Sequence, residues 1–152
     1  MSYLPCELHC HTIHSDGDFT VSELQKAAAD DHLAIIALTD HNTFSGWDEL
    51  DDNIIPAIRG IEWTTYFGHM LVLGANDFVD WRDAQPDNID EKIKQVKAVG
   101  GIVGIAHPYQ LGSPLCTGGR WEFNVRDWRN VDYIEVWHQN LLFCKKRERK
   151  SA

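Results

Sequence analysis

The sequence is poor in several features that announce a protein's class. It contains no apolar run approaching the roughly 20 residues that a membrane helix needs. Its first residues, "MSYLPCELHC", have neither a basic start nor an apolar signal core, so a cytoplasmic location is expected. Basic residues are scarce: 14 Lys and Arg stand against 23 Asp and Glu, a formal charge of −9. That balance argues against nucleic-acid binding driven by phosphate attraction. The cations are also unevenly spread. The stretch "KKRERK", Lys145 to Lys150, holds five of them with one carboxylate and reads as a solvated tail (145–152) after a domain covering residues 1–144. Four cysteines, Cys6, Cys10, Cys116 and Cys144, follow no scaffold spacing, which predicts free thiols in a reducing compartment. No Gly-rich phosphate loop of the Walker or Rossmann type occurs, and "SDG" at 15–17 is not a nucleophile motif. What the chain has is 43% hydrophobic residues and 6 Trp against only 5 Pro, enough for one globular domain with a real core.

It also has histidine, concentrated near the start in "ELHCHTIHSDG", residues 7–17. If residues 6–11 form a β-strand, Glu7, His9 and His11 share one face while Cys6, Leu8 and Cys10 share the other. Two imidazoles pointing the same way can reach one cation, with His14 and Asp16 approaching from the following loop, an arrangement that suits a metal better than a nucleophilic triad. A structural pair on a half-buried strand fits the His-x-His spacing equally well. A small zinc knot using Cys6 and Cys10 fits less well, since thiols and imidazoles would face opposite ways.

Further along, "DFTVSELQKAAADDH" predicts a helix, with Thr20 as its cap, Glu23 completing a capping box, and Val21, Leu24 and Ala28 as its buried stripe. The apolar run Leu33 to Leu38 predicts a strand covered on both faces, ending in Thr39, Asp40, His41 and Asn42. A short helix is expected in "SGWDELDD", then strands in "IIPAIRGIEWTT" and "GHMLVLGAN". Ile89, Ile93 and Val96 mark a second helix over 89–99, which Gly100 and Gly101 stop. "GIVGIAHP" and "VDYIEVWHQN" predict two more strands, separated by a loop at "SPLCTGGRWEF". Metal-capable side chains recur at strand ends: His9 and His11, Asp40 and His41, Glu62, His107, then Glu135 and His138. In alternating β/α architectures the carboxyl ends of parallel strands gather at one rim, where active sites form.

"ELHCHTIHSDG", "LTDHN", "GIEWT", "GHMLVLG" and "AHP" together resemble the successive motifs of the PHP family, the polymerase and histidinol phosphatase metallohydrolases. More narrowly, "GIEWTTYFGHMLVLG" with "DWR", and "HPYQLGSPLCTGGRW" followed by "DYIEVW", resemble the carbaryl hydrolase (CehA/McbA) branch. The resemblance implies an α/β fold, a distorted (β/α)7 TIM-like barrel, with two or three divalent metal ions, zinc, manganese or iron. It implies His9 and His11 as ligands of a first metal, Glu62 as a bridge, His69 and His107 as ligands of a second, and Asp16 and His41 as ligands of a third. Asp40, His41 and Glu62 are the expected catalytic groups, Asp40 by buttressing its neighbour, with His14, Glu135 and His138 on the substrate side.

The family's closing "D-x-H" motif has no counterpart after His138, and about six candidate strands are visible where a complete barrel takes about 250 residues. An incomplete barrel is therefore expected, its open edge covered by another copy or a partner. The expected activity is metal-dependent hydrolysis of a small phosphoester by water that shared cations activate. Cleavage of a carboxyl or carbamate ester, or a degenerate metal-binding fragment without catalysis, are the alternatives. No membrane or nucleic-acid partner is expected.

Overall fold

The computed structural model describes residues 3–110 and 120–136. Six strands form one curled sheet in sequence order: β1 (Cys6–Cys10), β2 (Ile35–Leu38), β3 (Ala57–Thr65), β4 (Gly68–Leu73), β5 (Ile102–Ala106) and β6 (Tyr133–Ile134). Two helices, α1 (Val21–Asp30) and α2 (Ile89–Ala98), pack on its outside. This is an incomplete TIM-like barrel, a half-barrel with an inner and an outer face. Among the described residues no helix is long and apolar enough to cross a membrane.

Helix α1 begins where its sequence places it. Thr20 accepts from the Glu23 amide, and the Glu23 carboxylate accepts from the Thr20 amide at 2.9 Å, satisfying two amides at the helix start. Its buried residues are Val21, Gln25 and Ala28, and the expected Leu24 is partly buried against the same cluster as Ala28. The Gln25 amide pays its burial cost by donating to the Asp51 carbonyl and accepting from the Asp51 amide, both at 3.0 Å. Helix α2 buries Ile89, Ile93 and Val96 against Ile61, Trp63, Met70, Val72 and Val103 on the outer face. Ala37, Leu71, Leu73 and Ala106 fill the inner one.

Several expectations are corrected. The segment 45–52 forms only one 3-10 turn, Trp47–Glu49, held by the Trp47 indole donating to the Gly60 carbonyl at 2.8 Å. Strand β3 starts at Ala57, after Pro56, which cannot donate to a ladder. Among the described residues the last strand covers Tyr133–Ile134, and residues from 137 onward, including His138 and the basic tail, lie outside the described residues. The strict alternation expected for β1 fails because the pairing register shifts between Glu7 and Cys10. Leu8 consequently packs with the inner cluster, whereas Cys10 packs with the outer one against Ala28 and Ile36. Burial there, reinforced by Glu7 and Asp40, pushes the Cys10 thiol up to about 12, so this cysteine is inert packing.

The sheet is mixed. β1, β2 and β3 are parallel, β4 is antiparallel to both β3 and β5, and β6 is parallel to β5. A tight β3–β4 hairpin makes the reversal, with the Thr65 hydroxyl donating to the Gly68 carbonyl at 2.8 Å and Gly68 at φ +133°. Because β4 runs backwards, its first residues lie at the rim where its neighbours end.

Candidate metal centre

That rim carries the histidines. The end of β1 presents His9 and His11, the segment after β2 presents His41, β3 presents Glu62, β4 begins with Gly68 and His69, and β5 is followed by His107. Glu62 sits at the middle of the group, fully buried. Its two oxygens divide the imidazoles between them. Oε2 lies 3.2 Å from His9 Nε2, 3.2 Å from His11 Nε2 and 2.8 Å from His41 Nδ1. Oε1 lies 3.0 Å from both His69 Nδ1 and His107 Nε2. Asp16, arriving on the loop after β1, lies 3.1 Å from His11 Nδ1 and 3.5 Å from His41 Nε2.

Three overlapping sets of donors converge closely enough to hold an ion: His9, Glu62 and His107; His41, Glu62 and His69; and His11, Asp16 and His41. In the first two, Glu62, His69 and His107 are buried and His9 and His41 partly so, whereas the third opens outward through Asp16, whose side chain is 56% exposed. The donor set fits divalent cations on two counts. Imidazole nitrogens and carboxylate oxygens are the ligands that zinc and its neighbours prefer. Glu62 Oε2, despite its three close nitrogens, and His69 Nε2 are buried with no aligned hydrogen-bond partner among the described residues, a costly arrangement that a cation would relieve.

A second layer holds these groups in place. The Glu135 carboxylate receives His9 Nδ1 at 2.8 Å on one oxygen and the His107 amide at 2.8 Å on the other. The first contact orients the His9 ring so that Nε2 faces Glu62, and the second clamps His107, whose φ of +24° is strained for a non-glycine residue. Replacing Glu135 with glutamine is expected to weaken zinc binding by roughly 10- to 100-fold, readable by calorimetric titration, with the fold intact by circular dichroism. Asp40 does not face the cluster. Its Oδ1 accepts from the Thr12 amide at 2.7 Å and the Ser15 hydroxyl at 2.6 Å, and its Oδ2 accepts from the Thr12 hydroxyl at 2.8 Å. His14 is turned away too, bonded to Glu49 at 2.9 Å and Ser45 at 2.8 Å, where it ties two loops together. Sequence reasoning passed over Thr64, whose hydroxyl contacts His41 Nδ1. The available signal was its place two residues after Glu62 on the same strand face.

Gly17 closes the loop that delivers Asp16. Its amide donates to the Thr12 carbonyl at 2.9 Å, and a Cβ there would lie 2.3 Å from the His11 carbonyl oxygen. Gly17→Ala is expected to push the loop off His11, costing about 1–3 kcal/mol in denaturant unfolding and weakening the outermost cation set first.

The charges are tuned for exchange with cations. Burial disfavours a charged His9, but Glu135 and Glu62 overcome it and push its pKa up to about 10. Burial likewise opposes charge on His41, and Glu62 and Asp16 outweigh it, so its pKa is raised. Burial would raise Glu62, yet the surrounding imidazoles, His107 and His11 foremost, hold its carboxyl far below the usual range. His9 therefore carries a proton at neutral pH in the metal-free protein. With its folded pKa raised, the stability it contributes is complete below about 6.5 and is lost as pH rises toward about 10. Metal uptake at pH 7 is expected to release protons, as measured by dye titration in weak buffer. The Tm of metal-free protein is expected to fall between pH 7 and 10 while that of metal-loaded protein holds.

A curled β/α half-barrel with five imidazoles around one buried carboxylate at its rim defines a barrel protein with a candidate polynuclear metal centre. The model of the PHP domain matches residues 7–105, and the chain belongs to the PHP domain family. It is 28% identical over 109 residues to Uncharacterized protein MJ1295 of Methanocaldococcus jannaschii, covering 72% of this chain and 48% of that one. It is 29% identical over 153 aligned residues to Uncharacterized protein MJ1587 of the same organism, covering 90% and 85%. Among solved structures, it is similar to a two-domain protein of Bacteroides vulgatus named for a proposed PHP-like metal-dependent phosphoesterase, with a TM-score of 0.67, 22% identity, and coverage of 88% of this chain and 44% of that chain. A protein of Bifidobacterium adolescentis named for a proposed metal-dependent phosphoesterase gives a TM-score of 0.61 at 20% identity, covering 90% and 78%. An amidohydrolase of Chromobacterium violaceum, solved with sulfate and no metal, gives 0.54 at 17%, covering 68% and 66%. The chain thus spans about half the length of MJ1295 and of the Bacteroides protein. At these identities the structural likenesses establish the fold.

Proposed function

We propose that this PHP domain, taken as residues 1–144 with 145–152 as a basic tail, is a metal-dependent hydrolase of a small phosphoester. The observation that carries the reading is the Glu62 carboxylate, wholly buried with five imidazoles at 2.8–3.2 Å. Grouped by the Glu62 oxygen each imidazole faces rather than by the converging sets above, His9, His11 and Glu62 would hold one cation, Glu62, His69 and His107 a second, and Asp16, His11 and His41 a third at the mouth. Zinc, manganese or iron, when bound, would supply the Lewis acidity that activates water and neutralises phosphoryl oxygens.

The chain's own residues do the positioning. Glu135 holds the His9 tautomer, and Asp40 holds the Thr12 to Ser15 turn that sets Asp16 at the opening. His41, partly exposed beside Asp16, would serve at the mouth as a cation ligand, its other ring nitrogen held by Glu62 and Thr64. The walls around Glu62 exclude water from the inner sets, which strengthens every charge interaction there.

The deciding experiment uses protein purified without added metal. Elemental analysis is followed by hydrolysis of bis(4-nitrophenyl) phosphate with manganese or zinc. Metal-dependent turnover, abolished by chelator and by His9→Ala, supports the reading, and full activity in chelator-treated buffer overturns it. A second reading, cleavage of a carboxyl or carbamate ester, is favoured by the carbaryl hydrolase-like stretches at 60–74 and 107–121 and by the amidohydrolase among the structural neighbours. Faster turnover of 1-naphthyl N-methylcarbamate than of the phosphodiester would select it. Bound metal with neither activity would mark a metal-binding domain without catalysis.

A further inference from the structure

Along β3 the side chains alternate, so Ile61 and Trp63 turn to the outer face while Glu62 between them turns to the metal centre. The outer pair floors a cavity of about 340 Å³, walled further by Phe44, Trp47 and Phe78, a volume in the range of small-molecule sites. The walls are aromatic and mutually supported: the Phe44 ring centre lies 4.6 Å from that of Trp47 and 6.0 Å from that of Phe78. Phe78 nevertheless remains 54% exposed, so the hydrophobic collapse that made the rest of the outer face stops short here.

Polar groups at this cavity are few, and they differ in commitment. The Asp77 carboxylate accepts from the adjacent Phe78 amide at 2.8 Å. Arg59, on the same outer face of β3 as Ile61, lines the cavity and the recess beside it, and is exposed. It has no carboxylate in ion-pair contact among the described residues. Arg82 and Arg129 are clamped, to Asp80 at 2.6 Å and Asp127 at 2.8 Å, whereas Arg59 shares its lack of a carboxylate partner among the described residues with Arg120 and Arg126 and differs from them in lining an aromatic cavity. In a chain with a formal charge of −9, a guanidinium in no ion pair at the wall of an aromatic box that also holds Asp77 is a specific feature.

We infer that this cavity binds a small apolar acid, its ring or chain against Phe44, Trp47, Trp63 and Phe78 and its carboxylate on the Arg59 guanidinium. A planar guanidinium matches a carboxylate with two parallel hydrogen bonds, and the other charge at the cavity, Asp77, is already engaged by the Phe78 amide. The site is separate from the metal centre, lying across the sheet from it, and stands whether or not the hydrolase reading holds.

The test is calorimetric titration of the full chain with 1-naphthoate, the neutral 1-naphthalenemethanol and the cationic 1-naphthylmethylamine, all in saturating inorganic phosphate so that anion binding at the metal centre is suppressed. The expected result is one equivalent of naphthoate bound at least about tenfold more tightly than the alcohol, the margin of a charge-assisted pair. Arg59→Gln should bring the acid to the alcohol's affinity without changing the alcohol's own, and Phe78→Ala should weaken both. Both positions are exposed, so the fold tolerates these changes, checked by an unchanged Tm. Naphthoate binding no tighter than the alcohol, tightest binding by the amine, or an acid affinity indifferent to Arg59→Gln would each overturn the inference.

Discussion

Replacing Glu62 with glutamine is expected to empty the metal centre. The substitution keeps the shape of the side chain but removes the one anion against which five imidazoles are arranged, and it puts an NH₂ where one oxygen now accepts. Metal content by elemental analysis should fall from roughly two or more equivalents per chain to below about one, and metal-dependent turnover should fall by about 10³-fold or more, the scale of losing a charge-stabilising group in a dry site. The same change should lower the His9 pKa, because Glu62 is one of the two carboxylates that raise it. NMR titration of the metal-free variant would read this independently of activity. A variant that retained its full metal complement would remove Glu62 from the bridging role.

Asp40→Ala is expected to be the most destabilising change at the rim. Asp40 is 2% exposed and Thr12 is fully buried. Removing the carboxylate strands the Thr12 amide and hydroxyl and releases Ser15. A buried donor left without a partner costs about 1–3 kcal/mol, so the loss should be on the order of 3 kcal/mol, or a fall in Tm of roughly 10 °C for a domain of this size. Asp40→Asn separates support from chemistry. If Asp40 acts only by holding the turn, the asparagine variant should lose stability and metal affinity together while each loaded molecule turns over normally. Normal metal content with turnover reduced about 100-fold or more would instead give Asp40 a direct part in the reaction.

The capping box of α1 and the apolar runs of β2 and β5 are local signals, and the structure carries them nearly where the sequence places them. The strand-end rule gathered His9, His11, His41, Glu62, His107 and Glu135 to one rim for a sound reason, since parallel strands end together. It had no way to reach His69, which begins its strand. Only the family resemblance pointed there, and the antiparallel hairpin supplies the cause. Alternation in β1 misplaced Leu8, because a register shift depends on the partner strand and not on the residues that undergo it. His14 and Asp40 sit among candidate ligands in the sequence, yet their side chains are engaged by Glu49, Ser45, Thr12 and Ser15.

By itself, the sequence determined which side chains were available for metal chemistry, most of the strands and both long helices, and, through its ordered motifs, the family to which the chain belongs. These follow from residue type and short-range spacing. Which oxygen of Glu62 faces which imidazole, that Glu135 steadies His9 and His107 from just beyond β6, and that an aromatic cavity lined by Arg59 lies behind the same strand were decided by the tertiary structure alone. The physical reason is one of range: those relations join residues up to 126 positions apart, and they exist only once the sheet has curled and one strand in it has reversed.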